Sequence, residues 1–598
     1  MSFVAELRKR KVFQVAFGYL AVAWLLVQVT ATILPAFDLP VWALRLVVLL
    51  FALGFPIAVL MAWALELTPE GVKLDVSTSG GKGMLAVAVA LVAVVLGWFF
   101  RDQLLSTQHI PQSAAADASS MQPKAVERSV AVLPLVNASN DPDQQFFSDG
   151  LSENLIDSLS RFDGVKVIGR ISAFQFRDSK DNSATIGRKL GVTYILNGSV
   201  QRDAGTVRIS ASLINAADGS TLWAQHYDRP YENLFALQDE IAQAVADALR
   251  VKLLSPVAAA NQGDRPPNGN LEAYNAYLRG LKYWYDEDFP KAAEFMGKAV
   301  QLEPGYAMAW AQLSGSWSTA AAFTVLYKVP PAVVPDYMRK SRLAADKALQ
   351  LAPGLGPAHA ARAYLQFYSF DSRGASIECR RAVQLAPEDA TVLNGCGYTL
   401  GGIGQLDEAI RLRERLLSIE PLYTVNYSEY ARLLMATGRL EEADKYLRIG
   451  EGLRIPYPYE RMVAALLRGD ANAALNIATQ APADDRDLHL ALATQIGPDR
   501  AAADRALATI LQDKPSSASH AYTIAQVYAL RGDAGATVKW LERALREDLL
   551  FLLADPLVLR VRDDPRFIAF CKKIGLPPPS ESEALSIDQI RTLSSKRQ

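Results

Sequence analysis

Cysteine is scarce in this sequence: Cys379, Cys396 and Cys571 are the only three among 598 residues. They are too few and too scattered to form a disulfide framework or a cysteine zinc site. A surplus of charge is also missing, because 62 Lys and Arg residues are balanced by 63 Asp and Glu residues. Without a basic surplus there is no electrostatic signal for binding a polyanion. Nucleic acid is therefore not predicted as a partner.

The motifs of common enzyme classes are missing as well. The stretch "GGKG" at Gly80–Gly83 lacks the upstream glycine and the following Ser or Thr of a phosphate-binding loop. The sequence contains no HExxH zinc motif, no G-x-S-x-G nucleophile motif and no paired-cysteine motif. We therefore predict a protein that is not an enzyme, with no catalytic residue, no cofactor and no bound metal.

Long apolar runs occur only in the first hundred residues. About 20 apolar residues in a helix span a bilayer core, so residues 1–102 are predicted to form a membrane domain of three transmembrane helices at about 12–37, 41–65 and 84–100. A signal peptide is the alternative for the first run, but that run is too long and lacks a small-residue cleavage site.

The basic residues before the first run predict an orientation. Arg8–Lys11 holds four positive charges, while the loop at Phe37–Pro40 holds none, so the N-terminus is expected in the cytoplasm. Three crossings would place everything after Arg101 on the far side of the membrane. If the short third run did not cross, the C-terminal part would be cytoplasmic instead.

After the apolar runs, the composition predicts a linker and then an α/β domain. Residues 103–128 are rich in Ala, Ser and Gln and are expected to form a flexible tether. Residues 129–255 alternate strand and helix patterns. Strands are predicted at Val130–Leu135, Val165–Arg170, Tyr194–Arg202, Thr206–Ile214 and Ser220–Asp228, and helices at Thr185–Leu190, at about Asn233–Leu253 and along the apolar face Phe147, Leu151, Leu155 and Leu159.

The loop before the first of these helices admits two interpretations. Asn137, Asn140, Asp141 and Asp143 carry side-chain oxygens of the kind that bind hard cations. They lack the spacing of a calcium loop, however, and Asp141 followed by a proline is typical of a helix start. The sequence therefore favours a structural loop over a metal site.

Two further stretches give a specific resemblance. "AVLPLVNASNDPDQQFFSDGLSENL" and "LFALQDEIA" resemble the TolB N-terminal-like (FlgO-related) α/β domain, and "ELRKRKVFQVAFGYLAVAW" resembles the membrane segment of the same group. The resemblance implies a multi-pass protein of the bacterial inner membrane, with a cytoplasmic N-terminus and periplasmic C-terminal domains. Related proteins often carry an adenylate cyclase or winged-helix domain ahead of the membrane, and this sequence has neither.

The remaining sequence is helical and periodic. After a linker at 256–270, the motifs "LAP", "LAP" and "IEP" end in prolines spaced by 34 residues, which is the tetratricopeptide period. Residues 271–578 are therefore predicted to be a tetratricopeptide solenoid, followed by a tail at 579–598. The repeat-packing residues are Gly280, Tyr283, Ala292, Ala299, Pro304, Pro353, Pro387, Gly404, Ala409, Pro421, Gly438 and Ala443.

The predicted fold class is thus multidomain: transmembrane helices, a small α/β domain and an all-α solenoid. Such solenoids hold ligands on their concave face, so the solenoid is expected to bind protein partners. The predicted function is a membrane-anchored periplasmic scaffold. The alternative is a signalling protein related to the cyclase or winged-helix forms, acting through a separate cytoplasmic effector. The sequence predicts neither the partner nor the oligomeric state.

Overall fold

The computed structural model describes residues 126–578, apart from gaps at 140, 204, 251, 254–264, 325–326, 454 and 513–517. It also describes residues 19, 22–24, 26, 28, 65–68 and 71–74. The chain divides into two compact units, Met1–Met121 and Gln122–Gln598. The predicted tail and most of the predicted linker at 256–270 lie outside the described residues. The predicted tether at 103–128 lies outside them too, apart from residues 126–128, which belong to a strand, Val126–Val132, and not to a flexible linker.

The first unit corrects the prediction of a membrane domain. Among the described residues, no helix is both long and apolar enough to cross a bilayer. Leu65, the predicted end of the second span, instead begins strand β1 (Leu65–Thr68), which pairs antiparallel with β2 (Gly71–Leu74). An apolar run spans a membrane only if it also forms one continuous helix. The predicted transmembrane fold class and the multi-pass inner-membrane localisation are therefore wrong. The predicted orientation in the membrane depended on these spans and falls with them. The other residues of the predicted spans lie outside the described residues, apart from a few in the first.

The second unit begins with an α/β domain around a mixed sheet. Its strands are β3 (Val126–Val132), β4 (Val136–Asn137), β5 (Phe162–Asp163), β6 (Lys166–Ile168), β7 (Val192–Asp203), β8 (Thr206–Asn215), β9 (Thr221–Pro230) and β10 (Lys252–Leu253). The strand order in the sheet is β6-β3-β7-β8-β9, with β4 also paired to β7. The β3 pairs with β6 and β7 are parallel, whereas β7, β8 and β9 form antiparallel hairpins. The strands β5 and β10 form a separate antiparallel pair.

Four helices accompany the sheet in the described part of this domain. They are α1 (Gln145–Leu159), α2 (Arg170–Ala173), α3 (Ser183–Leu190) and α4 (Leu234–Ala248). The predicted apolar face of α1 is buried at Phe147, Leu151, Leu155 and Leu159. A short 3-10 turn, Pro142–Gln144, leads into α1, and Asp141 caps it by accepting a hydrogen bond from the Asp143 backbone N–H.

Antiparallel pairing of neighbouring helices builds the rest of the unit. The pairs are α5 (Leu271–Tyr285) with α6 (Phe289–Leu302), α7 (Ala307–Ala322) with α8 (Val334–Leu351), α9 (Gly356–Tyr368) with α10 (Ser372–Leu385), α11 (Ala390–Gly402) with α12 (Leu406–Ile419), α13 (Thr424–Ala436) with α14 (Leu440–Gly452), α15 (Pro458–Arg468) with α16 (Ala471–Thr479), α17 (Ala483–Ala493) with α18 (Arg500–Gln512), and α19 (Ala518–Leu530) with α20 (Ala534–Leu541). From α9 to α14 successive pairs begin 34 residues apart, as the proline ladder predicts.

A non-repeating segment completes the described chain. It contains α21 (Arg546–Leu549), two 3-10 turns at Leu552–Ala554 and Val558–Val561, and the final helix α22 (Pro565–Ile574). One apolar core runs from Ala363 in α9 to Leu576 after α22. Another joins the sheet and α1 to α5, α6 and α7, so the α/β domain and the first helix pairs share a single core.

Gly150 allows the close contact between α1 and α5 within that shared core. This residue interrupts the apolar face of α1, and no local reason for a glycine there is evident from the sequence. A Cβ atom at Gly150 would lie 2.4 Å from Leu278 Cδ2 of α5. The missing side chain therefore lets α1 pack directly against the first helix of the solenoid.

Candidate functional site: the inner face of the helical repeats

The repeat register places the predicted packing residues as follows. Fully buried at the crossings of paired helices are Ala292, Ala299, Ala409 and Ala443, and Gly280 is also buried. Tyr283 is half-buried and stacks on Phe295 with ring centroids 5.3 Å apart. Gly404 and Gly438 take positive φ angles of 84° and 75° in the turns within their pairs. The ladder prolines Pro304, Pro353, Pro387 and Pro421 lie in the turns between pairs, and only Pro421 is partly buried.

The first helices of the pairs line the inner face of the solenoid, where part of the chain itself is bound. We call Leu549–Leu559 the closing segment. Its 3-10 turns contact the first helices α11, α13 and α19. Leu550, Leu552, Leu553, Leu557 and Val558 in this segment are fully buried.

An aromatic contact anchors the closing segment. Phe551 lies edge-on to Tyr398 of α11, with ring centroids 4.7 Å apart, and the Arg432 guanidinium of α13 lies 4.7 Å above the Phe551 ring. A cation over a ring adds electrostatic attraction to the buried apolar area. Gly402 admits the backbone at this point, because a Cβ atom there would lie 2.4 Å from the Leu550 carbonyl oxygen.

A carboxylate anchors the same segment farther along. Asp555 Oδ2 accepts hydrogen bonds from the Tyr522 hydroxyl at 2.9 Å and the Gln526 side-chain amide at 2.6 Å, both on α19. Its other oxygen accepts from the backbone N–H groups of Leu557 and Val558. Asp555 is only 7% exposed. The inner face thus holds a peptide that combines apolar side chains with a carboxylate.

Arg413 is a buried cation beneath this surface. It lies on α12 and is 1% exposed, and its guanidinium donates to the side-chain oxygens of Asn394 at 2.6 Å and Asn426 at 3.1 Å. Burial lowers the pKa of Arg413. Because its hydrogen-bond acceptors are amides on α11 and α13, Arg413 connects three helices.

The α/β domain covers the first helix α5. The Tyr274 hydroxyl accepts hydrogen bonds from the side-chain amides of Asn154 in α1 and Gln238 in α4. Tyr285 donates its hydroxyl to Glu153 Oε1 at 2.8 Å, and Arg170 reaches the other Glu153 oxygen at 3.2 Å. Burial raises the pKa of Glu153, while the Arg170 charge opposes that effect.

The same domain reaches the fourth helix pair. Glu420, at the end of α12, accepts from the backbone N–H groups of Ile171 at 3.0 Å and Ser172 at 2.7 Å, at the start of α2. The Ser172 hydroxyl accepts from the Leu422 N–H at 3.0 Å, and Gln175 donates to the Leu422 carbonyl at 2.7 Å. Burial raises the pKa of Glu420 to about 7.

The described residues do not form the metal site that the sequence analysis weighed as an alternative. Within the part of the chain that the structure describes, no group of three His, Cys, Asp or Glu side chains is placed to hold a metal ion. In the loop weighed as a metal site, Asn137 donates to the Asp141 carbonyl and accepts from Ser139 N–H. These are turn contacts. Cys379 and Cys396 are free and buried.

Two features of the site could not be found from the sequence: the closing segment and the docking contact of Glu420. The closing segment has no repeat signature, and its place opposite α11 and α13 depends on contacts between residues far apart in the chain. Glu420 belongs to the repeat motif "IEP", and nothing local marks it as the docking point of the α/β domain.

Comparisons with known proteins find similarity over parts of the chain. Residues 126–244 match the family described as HilA/YgeH-like transcriptional regulator, second domain. A protein named "Putative adenylate cyclase 3" from Rhizobium meliloti (strain 1021) is 36% identical over 209 residues, which is 34% of this chain. This chain spans only 35% of that relative's length.

Two solved structures are similar to part of the chain. Pseudomonas aeruginosa PilF is 16% identical with a TM-score of 0.29, and the similarity covers 40% of this chain and 98% of PilF. YrrB, described as a TPR protein with an unusual peptide-binding site, is 17% identical with a TM-score of 0.23, covering 35% of this chain and 97% of YrrB.

Proposed function

We propose that this chain is a non-enzymatic scaffold that binds protein partners through its helical repeats. The observation that supports it most is the closing segment. A peptide with buried leucines, an aromatic anchor at Phe551 and a carboxylate at Asp555 is bound across the first helices. Phe551 is partly buried, and the leucines beside it are fully buried. Aromatic and buried apolar side chains surrounded by satisfied polar contacts are typical of the central part of protein interfaces. The repeats therefore have the chemistry of a peptide-binding surface.

Two measurements test this proposal. Cross-linking in native cells, followed by purification of the full chain, should recover a reproducible protein partner whose cross-links map to residues 271–578. The purified chain, incubated with ATP and Mg²⁺, should form no cyclic AMP above the level of a buffer control. Cross-links confined to residues outside the repeats, or measurable turnover, would reject the proposal.

Signalling through a separate effector is a second candidate function. The similarity of residues 126–244 to a regulator domain and the cyclase name of the partial relative favour it. Under this candidate, the partner recovered by cross-linking is itself a nucleotide cyclase or a transcription regulator. Recovery of a partner of another kind would leave the scaffold function and remove this candidate.

A further inference from the structure

A groove with a volume of about 820 Å³ lies where the third and fourth helix pairs meet the final helix α22. It remains open, whereas the closing segment covers α11, α13 and α19 of the inner face and the α/β domain covers α5. One side consists of the exposed face of α10, and the other consists of Lys572 and the residues Gly575–Pro577 that follow α22. The groove is therefore formed by the repeats and the C-terminal helix together.

The floor of the groove is apolar. Ile403, Leu576 and Phe370 are at most 7% exposed there, while Ile377 on the rim is 58% exposed. An exposed isoleucine beside a buried apolar floor offers area that a partner side chain can cover.

The rim of the groove carries unneutralised positive charge. Arg373 on α10 and Lys572 on α22 are both exposed, and neither forms an ion pair with another described residue. Arg380 also lines the groove, but it is neutralised by Glu408 at 3.0 Å. Among the described residues that line the groove, Asp371 carries the only carboxylate, and it accepts from the Gly374 N–H and so caps α10. Two cations therefore remain to attract carboxylates.

We propose that this groove docks an acidic peptide of a partner protein, with an aliphatic side chain on Ile377 and carboxylates paired to Arg373 and Lys572. The proposal rests on the scaffold function and names a docking place outside the covered inner face. The charges set the specificity and the association rate, and the apolar floor contributes the buried area.

A labelled peptide tests the charge requirement. The probe is a fluorescein-labelled peptide of the sequence Glu-Leu-Glu-Leu-Glu-Leu, titrated with the full chain and followed by fluorescence polarisation. The double variant Arg373→Ala/Lys572→Ala should bind it about ten-fold more weakly. The matched control is Arg381→Ala/Lys573→Ala, which removes two neighbouring cations that do not line the groove. It should bind the probe as the unmodified chain does.

Two further variants separate the alternatives. Ile377→Ser should also weaken binding of the probe. If both double variants lost the same amount of probe affinity, the binding would reflect general charge attraction, and the proposal would be overturned. The tail contains Glu581, Glu583 and Asp588, shortly after Pro578, the last described residue. If changing these three to Gln, Gln and Asn strengthened probe binding, the groove would belong to this chain's own tail, and the proposed partner in trans would be rejected.

The groove and the scaffold function can fail separately. Native partners that still cross-link fully to the Arg373→Ala/Lys572→Ala variant would reject the groove and leave the scaffold function standing. Loss of those partners in this double variant, but not in the Arg381→Ala/Lys573→Ala control, is the expected result.

Discussion

Glu420 Oε2 accepts a hydrogen bond of 2.7 Å from the backbone N–H of Ser172, so the fourth helix pair holds the α/β domain directly. Glu420 is 1% exposed, and its other oxygen accepts from Ile171. On the opposite side of α2, the Arg170 side chain contacts Glu153 and lies 3.6 Å from the Tyr285 ring centroid of α5. The short helix α2 therefore connects the first and fourth helix pairs through the α/β domain.

This relationship predicts a pH dependence of stability. Burial raises the pKa of Glu420 from 4.5 to about 7. Because the pKa of Glu420 is higher in the folded state than in the unfolded state, its protonation adds to the free energy of unfolding. This contribution is complete below the unfolded pKa of about 4.5 and is lost as the pH rises through about 7. The difference corresponds to about 3 kcal/mol. The midpoint of thermal unfolding should therefore fall as the pH rises across this window.

A variant isolates the contribution of Glu420. Burial also raises the pKa values of Glu153, Asp389 and Glu460, so the unmodified chain combines several similar effects. Glu420→Gln cannot ionise and should lower the slope of the unfolding midpoint against pH. Glu294→Gln, at an exposed position on α6, controls for the loss of a carboxyl group and should keep the original slope. An unchanged slope in Glu420→Gln would contradict the assignment.

The repeat register predicts the effect of a larger side chain at Ala409. Ala409 is fully buried where α12 crosses its neighbours. A Cβ atom placed on Gly401 would lie 3.7 Å from the Cβ atom of Ala409. Ala409→Leu should cost about 1 to 3 kcal/mol of unfolding free energy, because a packed crossing cannot take three extra carbon atoms. Ala508→Leu, exposed on α18, is the control and should change stability little. Chemical denaturation measures both, and an unaffected Ala409→Leu would mean that the register is wrong.

The solenoid could be predicted from sequence because its signals are local and repeated. Prolines spaced by 34 residues fix the turns between pairs, and Ala409 and Ala443 then fall at the crossings without any knowledge of distant contacts. Likewise, Asp141 followed by a proline marks the start of α1. Local signals are enough for the solenoid because each repeat contacts mainly its neighbours.

The contacts between distant segments could not be predicted in the same way. Gly150 interrupts the apolar pattern of α1 because a side chain there would clash with Leu278. Glu420 caps a helix that lies almost 250 residues earlier in the chain. Neither partner is visible from local spacing. The predicted membrane spans failed for a related reason, because hydropathy alone does not show whether a run forms one continuous helix.

The three cysteines should be unreactive in the folded chain. Cys379, Cys396 and Cys571 are fully buried. Burial raises the pKa of the Cys379 thiol well above its ordinary value and that of Cys571 to about 12. Because the thiolate is the reactive form, a thiol reagent at mildly alkaline pH should label none of them. Adding guanidinium should expose all three to the reagent, and rapid labelling without denaturant would contradict the described packing.

Two glycines of α11 provide the sharpest test of the closing segment. A Cβ atom at Gly402 would lie 2.4 Å from the Leu550 carbonyl oxygen and 2.3 Å from Phe367 Cζ, whereas one at Gly395 would meet nothing within 4 Å. Both positions gain up to about 1 kcal/mol of helix propensity from alanine. Gly395→Ala should therefore leave the chain as stable or slightly more stable. Gly402→Ala should instead lose about 1 to 3 kcal/mol, since a backbone carbonyl cannot move aside as a flexible side chain would.

The location of the damage distinguishes this contact from a general loss of stability. In Gly402→Ala, hydrogen exchange measured by mass spectrometry should quicken in Leu549–Leu559, because the clash pushes that segment away from α11. Exchange in the α/β domain, which contacts other helices, should stay as in the Gly395→Ala control. Equal stability of the two variants, or faster exchange throughout the chain with no preference for Leu549–Leu559, would show that the closing segment is not held against Gly402.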